Sequence, residues 1–394
     1  MQKQLRILII VDLPMDARLG ASQVYVELAN AWRAAGHTVA SYALNDAFPT
    51  QSPSRLVRVI RQCLFPWKAA AFVRNNADSF DVIDSLLGTL PFSKRNLRFD
   101  GLLVARSVGL YRLYHDFDRM ARARWPSPAR ENLLGRILYV VLNKWAAWVS
   151  RRALRHSDLV NVPNDNEVTC LQRELRSRIP VLVQPYGLTA ERQQTFQQAA
   201  VAAARKLAAR KISFIGMWTV RKGAKDWGEI IRRVRALVPE ARFVFLGTLT
   251  DDDNVLRDLG LASCDYVELV REYSPEQLPQ LLSDSTVGAF PSYAEGFGLA
   301  VLEQLAAGIP VVAYDAPGPM SILQKLSELL VPVGSVGKLS EALVRILSSD
   351  LNAYQKLAEQ AVATAKPLIW STIAEDTAEA YRTHLATVKS ARND

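Results

Sequence analysis

The chain repeats one alternation almost from end to end: a short apolar run of four to seven residues, then a longer stretch with apolar residues at helical spacing, then another short run. Parallel sheets with crossover helices produce that alternation, because each strand is buried on both faces and needs a helix to return the chain to its starting edge. In the first half the runs predict strands at Leu5 to Val11, Thr38 to Ala43, Asp81 to Asp84, Leu102 to Ala105, Leu159 to Val162 and Val181 to Gln184. The second half restarts with Ile212 to Gly216, Arg242 to Gly247, Tyr266 to Val270, Val287 to Phe290, Val311 to Tyr314 and Leu329 to Pro332. Two such series in 394 residues imply an α/β chain of two doubly wound domains.

The first crossover helix is the clearest, with Val24, Leu28, Trp32 and Ala35 on one stripe, Ser22 as its expected N-cap and Gly36 as its stop. Between the two series, Gln193 to Arg210 is Ala/Gln-rich and helix-prone, and reads as the connection. After Ser349 two helical patterns follow, one ending near Lys366 and one running from Ser371 to about Val388, with no strand after them. A terminal helix without a strand of its own needs a surface to cover, and the first domain offers one. The expected domains are 1–190, 191–370 and a terminal helix at 371–394 that packs back on the first.

Composition excludes disordered and fibrous classes: 49% of residues are hydrophobic and 22% charged. Cys63, Cys170 and Cys264 are odd in number, far apart and without metal-ligand spacing, so they read as reduced thiols. The apolar start ends at Asp12 after only seven residues, which suits a buried strand better than a signal peptide. No uncharged apolar run is long enough to span a bilayer. A cytoplasmic location is expected. Charge is uneven: residues 1–186 hold 26 Lys and Arg against 15 Asp and Glu, a net +11, while the remainder is at −2. Anionic partners of the first half could be nucleic acid, phosphorylated substrates or a lipid surface.

The segment Ser292 to Val312, SYAEGFGLAVLEQLAAGIPVV, concentrates the chemistry. A strand ends at Phe290, a loop presents Glu295, Gly296-Phe297-Gly298 opens a helix containing Glu303, and Gly308-Ile309-Pro310 ends it. Glycines admit a ligand close to the backbone, and the free amides and dipole of a helix start favour a diphosphate. Two carboxylates eight residues apart can accept hydrogen bonds from the hydroxyls of one ligand. Spacing alone is equally compatible with a solvated Glu303 and a plain glycine turn.

This segment resembles the Glu-x7-Glu motif of the retaining nucleotide-sugar glycosyltransferases of family 4, with Glu295 and Glu303 as its carboxylates and AAGIPVVA after it. GASQVYVELANAWRAAGHTV is similar to that family's first loop and helix, QPYGLT to the close of its first domain, and FIGMWTVRKGAKDW to the opening of its second. The resemblance implies the GT-B fold, two facing Rossmann-like domains with the terminal helix crossing back to the first. It implies that Glu303 holds the ribose hydroxyls, that Glu295 sits at the donor sugar, and that Phe297, Gly298 and Leu299 contact sugar and phosphate through their amides. Gly296, Gly20, Gly216 and Val270 complete the donor side it implies. Lys222 is implied as the phosphate lysine, with Arg221 beside it; both stand just after a strand and before a helix, where a basic pair is unusual because helix starts favour acidic residues. Glu295, Lys222 and Arg221 form the expected catalytic set.

Three positions depart from that pattern. Met217 follows the strand glycine where relatives usually have arginine, and Gly20-Ala21 stands where two glycines are common. After the strand Leu102 to Ala105, the sequence Arg106-Ser107-Val108 carries an apolar residue where a histidine is frequent. Arg106, Ser107, Val108 and His115 are therefore expected on the acceptor side, with His115 as a substitute for the missing histidine or a donor that lacks a hydroxyl, such as a deoxysugar or pentose.

Arg112, Arg119, Arg122, Arg124, Arg130, Arg136, Arg151, Arg152 and Arg155, interleaved with Trp125, Trp145 and Trp148, suit an anionic lipid surface, as do Arg55, Arg58, Arg61, Trp67 and Lys68; solvated arginines on an ordinary core helix fit equally well. No metal motif is present and Asp251-Asp252-Asp253 reads as a helix-capping cluster, so catalysis without metal or other cofactor is expected. The expected activity is retaining transfer from a nucleoside diphosphate sugar to a glycan or lipid-linked acceptor in bacterial-type surface polysaccharide or glycolipid synthesis, on the inner face of the membrane. The alternatives are a catalytically weakened nucleotide-sugar-binding subunit, or an epimerase or phosphorylase on the same architecture. Nucleic acid is not an expected partner, since no recognised motif accompanies the basic charge.

Overall fold

A computed structural model describes residues 4–16, 20–50, 54–126, 133–175, 179–262 and 264–393. The chain forms two compact units, Met1–Tyr186 with Trp370–Asp394, and Gly187–Ile369. The first holds six strands, β1 (Arg6–Val11), β2 (Thr38–Ala43), β3 (Val82–Leu86), β4 (Leu102–Arg106), β5 (Leu159–Val162) and β6 (Val181–Val183). The second holds β7 (Lys211–Ile215), β8 (Arg242–Leu246), β9 (Val267–Val270), β10 (Val287–Phe290), β11 (Val311–Tyr314) and β12 (Leu330–Val331). Each apolar run predicted as a strand overlaps one, with β3 and β4 running past the predicted ends at Asp84 and Ala105 and β7 starting one residue earlier, at Lys211.

Every pairing between these strands is parallel. The strand orders are β2-β1-β3-β4-β5-β6 and β12-β11-β10-β7-β8-β9. In each sheet the direction of winding reverses once, between β1 and β3 in the first and between β7 and β10 in the second. Such reversals splay the connecting loops apart at the carboxyl ends of the strands and leave a crevice there. Each unit is thus a doubly wound, Rossmann-like sheet with its ligand-binding edge fixed by topology.

The helix expected to open at Ser22 starts two residues earlier, at Gly20, and runs to Ala34. Ser22 lies inside its first turn, 1% exposed, and its hydroxyl has no hydrogen-bond partner among the described residues, so it is not the cap. Gly36, at φ +86°, ends the segment in the left-handed conformation that a glycine tolerates. The Ala/Gln-rich connection forms two helices, Ala190–Ala199 and Ala203–Ala209, both within the second unit.

The last helix, Trp370–Asn393, belongs to the first unit. Its contacts explain why. The Trp32 indole N–H donates to the Ala374 carbonyl at 3.0 Å, the Gln184 side-chain amide donates to Ile373 O at 2.9 Å, and the Tyr381 hydroxyl donates to Asp84 at 2.6 Å. Asp84 in turn pairs with Arg106 at 2.7 Å, with both side chains no more than 1% exposed. The same guanidinium donates to the Gln184 side-chain oxygen at 3.2 Å and to the Tyr381 oxygen at 2.9 Å. Two charges this deep are tolerable only because each is paired and hydrogen-bonded.

Next to this cluster, Ser107 is 1% exposed and its hydroxyl donates to Glu167 at 2.6 Å, while Leu110 N–H approaches the other carboxyl oxygen at 3.4 Å. Burial pushes the Glu167 carboxyl up to about 7, against the lowering effect of the Ser107 and Leu110 bonds. The folded state therefore holds a proton that the unfolded chain releases near 4.5, and this contribution to stability is full below 4.5 and is lost as pH rises to about 7. Replacing Glu167 by Gln is expected to flatten the pH dependence of thermal unfolding over that window, with up to about 3 kcal/mol recovered above pH 7; an unchanged pH profile would contradict the burial argument.

Candidate functional site

The β7/β10 reversal brings together the two segments that carry the sequence signals. Gly216 follows β7 at φ +146°, and the Lys222 stem passes close enough that a Cβ on Gly216 would lie 3.8 Å from its Cδ and Cε. Val220–Lys222 makes one short 3-10 turn closed by Gly223 at φ +85°. A Cβ at Gly223 would sit 2.5 Å from Pro291 O, so only glycine lets this turn lie against the loop that leaves β10.

The ammonium of Lys222 bonds directly to Glu295 Oε2. Arg221 donates to the Ala294 carbonyl at 2.8 Å and reaches the same carboxylate at 3.3 Å, and the Ser292 hydroxyl lies 3.3 Å from it. Burial works to raise the Glu295 pKa, but the neighbouring charges of Lys222 and Arg221 and the bonds from Lys222 and Ser292 outweigh it and leave the carboxyl below its ordinary value. Burial lowers the Lys222 pKa, with Glu295 opposing and Arg221 assisting the shift. The pair is thus a carboxylate held ionised by two cations in a crevice largely shielded from water.

Glu295 stands at the entrance to the Leu299–Ala306 helix, whose N-cap is Gly298 at φ +98°. The carbonyl of Gly298 accepts from Val301 N–H, and the Leu299 and Ala300 amides open the first turn without an intrahelical acceptor. Gly318 supports the turn from behind: its N–H donates to Glu295 O at 3.1 Å, and a Cβ there would meet Phe297 O at 2.4 Å. Beneath the loop, the hydroxyls of Tyr293 and Tyr314 both donate to the buried Asp226 at 2.7 Å.

Glu303, 9% exposed, lies within that helix and pairs with Arg192 at 2.9 Å. Burial raises its pKa while Arg192 pulls it down. Arg192 also donates to Pro275 O at 2.7 Å, and burial raises the nearby Tyr273 hydroxyl under the influence of Glu303. Sequence reasoning missed Arg192, because it stands on the Ala190–Ala199 helix 111 residues from its partner. It missed Gly318 as well, although the Pro-Gly-Pro at 317–319 is a turn signal in plain view.

The remaining expected residues divide. Gly216, Arg221, Lys222, Glu295, Gly296, Phe297, Gly298, Leu299 and Glu303 lie on the loops and helix start that follow β7 and β10. Val270 ends β9 and its carbonyl accepts from Gly247 N–H at 2.8 Å. Gly20 begins a helix of the first unit. Arg106 and Ser107 need correction as acceptor contacts, since the Arg106 guanidinium is consumed by Asp84, Gln184 and Tyr381, and the Ser107 hydroxyl by Glu167. Val108 and His115 do line open space in the first unit. Arg130 lies outside the described residues, as do the side chains of Arg55 and Arg136. Asp251 caps no amide with its side chain and pairs instead with Arg271 at 2.5 Å.

Comparison with known proteins follows the same outline. Residues 209–349 match the family model described as Glycosyl transferases group 1. The D-inositol 3-phosphate glycosyltransferase of Mycobacteroides abscessus is 28% identical over 39% of this chain and 35% of its own length. This chain thus spans about a third of the length of the sequence relatives it matches. Among solved structures, sucrose-phosphate synthase from Thermosynechococcus elongatus superposes with a TM-score of 0.75 at 20% identity, covering 97% of this chain and all of that one. Anabaena HepE, solved in complex with UDP and glucose, has a TM-score of 0.63 at 17% identity, covering 96% of this chain and 100% of that chain. At these identities the structures speak for the fold, and the fold is GT-B; the resemblance read from Glu295 and Glu303 stands as one to GT-B glycosyltransferases, with the family 4 type compatible.

The geometry makes Gly223 a sensitive position. Replacing it by Ala is expected to displace Lys222 from Glu295 and to destabilise the second unit by about 1–3 kcal/mol through strain at positive φ and collision with Pro291; unchanged thermal unfolding would show that the turn yields freely.

Proposed function

We propose that this chain is a retaining glycosyltransferase that takes a sugar from a nucleoside diphosphate sugar held by the second unit and passes it to a glycan or lipid-linked acceptor held by the first. The observation that carries the reading is the Glu295 carboxylate clamped by Lys222 and Arg221 beside the free amides of the Leu299–Ala306 helix, at the topological reversal of a sheet and within the segment matched by the family model. A departing diphosphate is stabilised by cations and amides fixed in place beforehand, and these act more strongly in a partly dry crevice than in water. Lys222 and the Leu299 and Ala300 amides take that role.

Glu303 accepts from the ribose hydroxyls, with Arg192 opposing the rise in its pKa that burial causes, and Glu295 orients the donor sugar. Retention follows if the leaving diphosphate accepts the acceptor proton on the face it departs from, which requires no separate protein base and calls on no metal. HepE, bound to UDP and glucose in its solved form, supports a nucleotide-sugar donor for this fold.

The first unit supports a peripheral position on the inner face of the cytoplasmic membrane, in surface polysaccharide or glycolipid synthesis. Among the described residues no helix is long and apolar enough to cross a membrane. The Arg55–Asn76 and Leu133–His156 helices instead leave Leu56, Ile60, Leu64, Trp67, Ile137 and Val141 about half exposed, beside Trp148 and several arginines. Tryptophan and arginine together suit the boundary between lipid headgroups and chains.

A calorimetric screen of nucleoside diphosphate sugars, followed by transfer assays on soluble and lipid-linked glycans, tests the reading. Lys222→Ala and Glu303→Ala are each expected to weaken donor binding or turnover at least about tenfold, equivalent to about 1.4 kcal/mol; near-normal kinetics in both variants would sink the assignment. Conversion of the donor without any acceptor would point to an epimerase, and donor binding with no transfer to a binding subunit, the reading that Met217 in place of a phosphate-binding arginine favours.

A further inference from the structure

The first unit has its own reversal, between β1 and β3, and a cavity of about 420 Å³ opens there. Asp12 just after β1, Leu86 to Thr89 from the end of β3 and Val108 just after β4 line it, with Trp145 and Tyr111 also in its wall. The walls are mostly apolar and aromatic. Asp12, only partly exposed, makes no side-chain bond to another described residue, and burial raises its carboxyl to about 6 against a hydrogen bond from its own backbone. The Tyr111 hydroxyl is also buried without a hydrogen-bond partner. A buried hydroxyl left unsatisfied is costly to keep, and the Tyr111 hydroxyl lines the same cavity as the Asp12 carboxyl.

A second groove adjoins the first, sharing Leu87, Tyr111 and Ser150 with it. Its character is opposite. Arg112, Lys144, Arg151, Arg152 and Arg155 line it against the single carboxylate of Asp116. Arg112 is 3.7 Å from Asp116, but Lys144, Arg151 and Arg155 pair with no carboxylate among the described residues. The Asn143 side-chain amide in the same groove is buried and has no acceptor. Unneutralised cations in a concave site beside unsatisfied donors are the arrangement that binds phosphate oxygens.

We propose that these two adjoining spaces form one acceptor site for a phosphorylated sugar, its ring in the Asp12 cavity with a hydroxyl donated to that carboxylate, and its phosphate in the groove of Lys144, Arg151 and Arg155. The assignment rests on the glycosyltransferase reading and narrows its acceptor. Trp145, stacked on Trp67, and Tyr111 supply aromatic walls beside the ring's C–H groups, and Val108 meets it where no hydroxyl projects. The phosphate can belong to a soluble sugar phosphate or to the headgroup of a lipid-linked sugar, since the groove recognises the same oxygens in either.

The test uses the full chain and two probes, glucose 1-phosphate and methyl glucoside, with binding followed by ligand-observed NMR. Glucose 1-phosphate is expected to bind about tenfold more tightly, and the Lys144→Ala/Arg151→Ala double variant to bring it down to the level of methyl glucoside. Asp12→Asn is expected to weaken both probes; should that variant fail to fold, Val108→Phe narrows the same cavity and is expected to do likewise. Equal affinity for the two probes, or undiminished glucose 1-phosphate binding in the double variant, would overturn the proposal. Flotation with vesicles of phosphatidylglycerol and phosphatidylcholine in equal parts separates the sources. Competition between vesicles and glucose 1-phosphate supports a lipid headgroup, and binding without competition supports a soluble phosphate. Vesicle binding that the double variant abolishes, with no glucose 1-phosphate binding at all, overturns it in favour of a membrane surface. UDP binding, measured in parallel, reports on the second unit alone: its absence from the unaltered chain would remove the donor assignment and leave this comparison intact.

Discussion

Burying a carboxylate beside cations, without neutralising it by protonation, is the constraint around which the second unit is arranged. Glu295 stays ionised because Lys222 and Arg221 reach it from a turn on a different strand. That turn lies flat only because Gly223 leaves room for Pro291 O, and the loop holding Glu295 keeps its shape only because Gly318 admits Phe297 O. Asp226, gripped by two tyrosines, anchors the floor. Together these contacts fix where the charges of Glu295, Lys222 and Arg221 stand before any ligand arrives.

The two units solve the same problem at different depths. In the first, Asp84 and Arg106 are sealed off at 1% exposure or less and tie β3, β4 and the Trp370–Asn393 helix together. In the second, Glu295 and Lys222 are 16% and 12% exposed at the side chain, dry enough to feel each other strongly and open enough to exchange partners with a ligand. Depth decides the role. A fully enclosed pair is a structural tie, because nothing can compete for it, whereas a pair at the lip of a crevice is open to exchange with a ligand.

Much of this was legible in the sequence because it is local. β2, β5, β10 and β11 coincide with their apolar runs, and the turn at Gly296 to Gly298 announces itself by its glycines. Strand order then places the Glu295 loop beside the Lys222 turn without further information. What stayed hidden is non-local. Arg106 sits one residue before Ser107 and two before Val108, and reads like a loop residue, yet its partner Tyr381 comes 275 residues later. Arg192 lies in an Ala/Gln-rich connection whose composition suggests a linker, and its relation to Glu303 emerges only when that helix packs. The N-cap at Ser22 failed for a different reason: a hydroxyl that is chemically suited to capping was drawn into a buried first turn two residues inside the helix.

The second unit is an insertion within the first, entered after Tyr186 and left before Trp370. During synthesis Gly187–Ile369 can therefore complete its sheet while the first unit still waits for the helix that supplies Tyr381 to Asp84 and a carbonyl to Trp32. Until that helix is translated, the Arg106–Asp84 pair lacks the Tyr381 hydroxyl, and the face of the Gly20–Ala34 helix that it covers remains open to water. The first unit is thus the last to become whole, since its closing helix Trp370–Asn393 follows the entire second unit in the sequence.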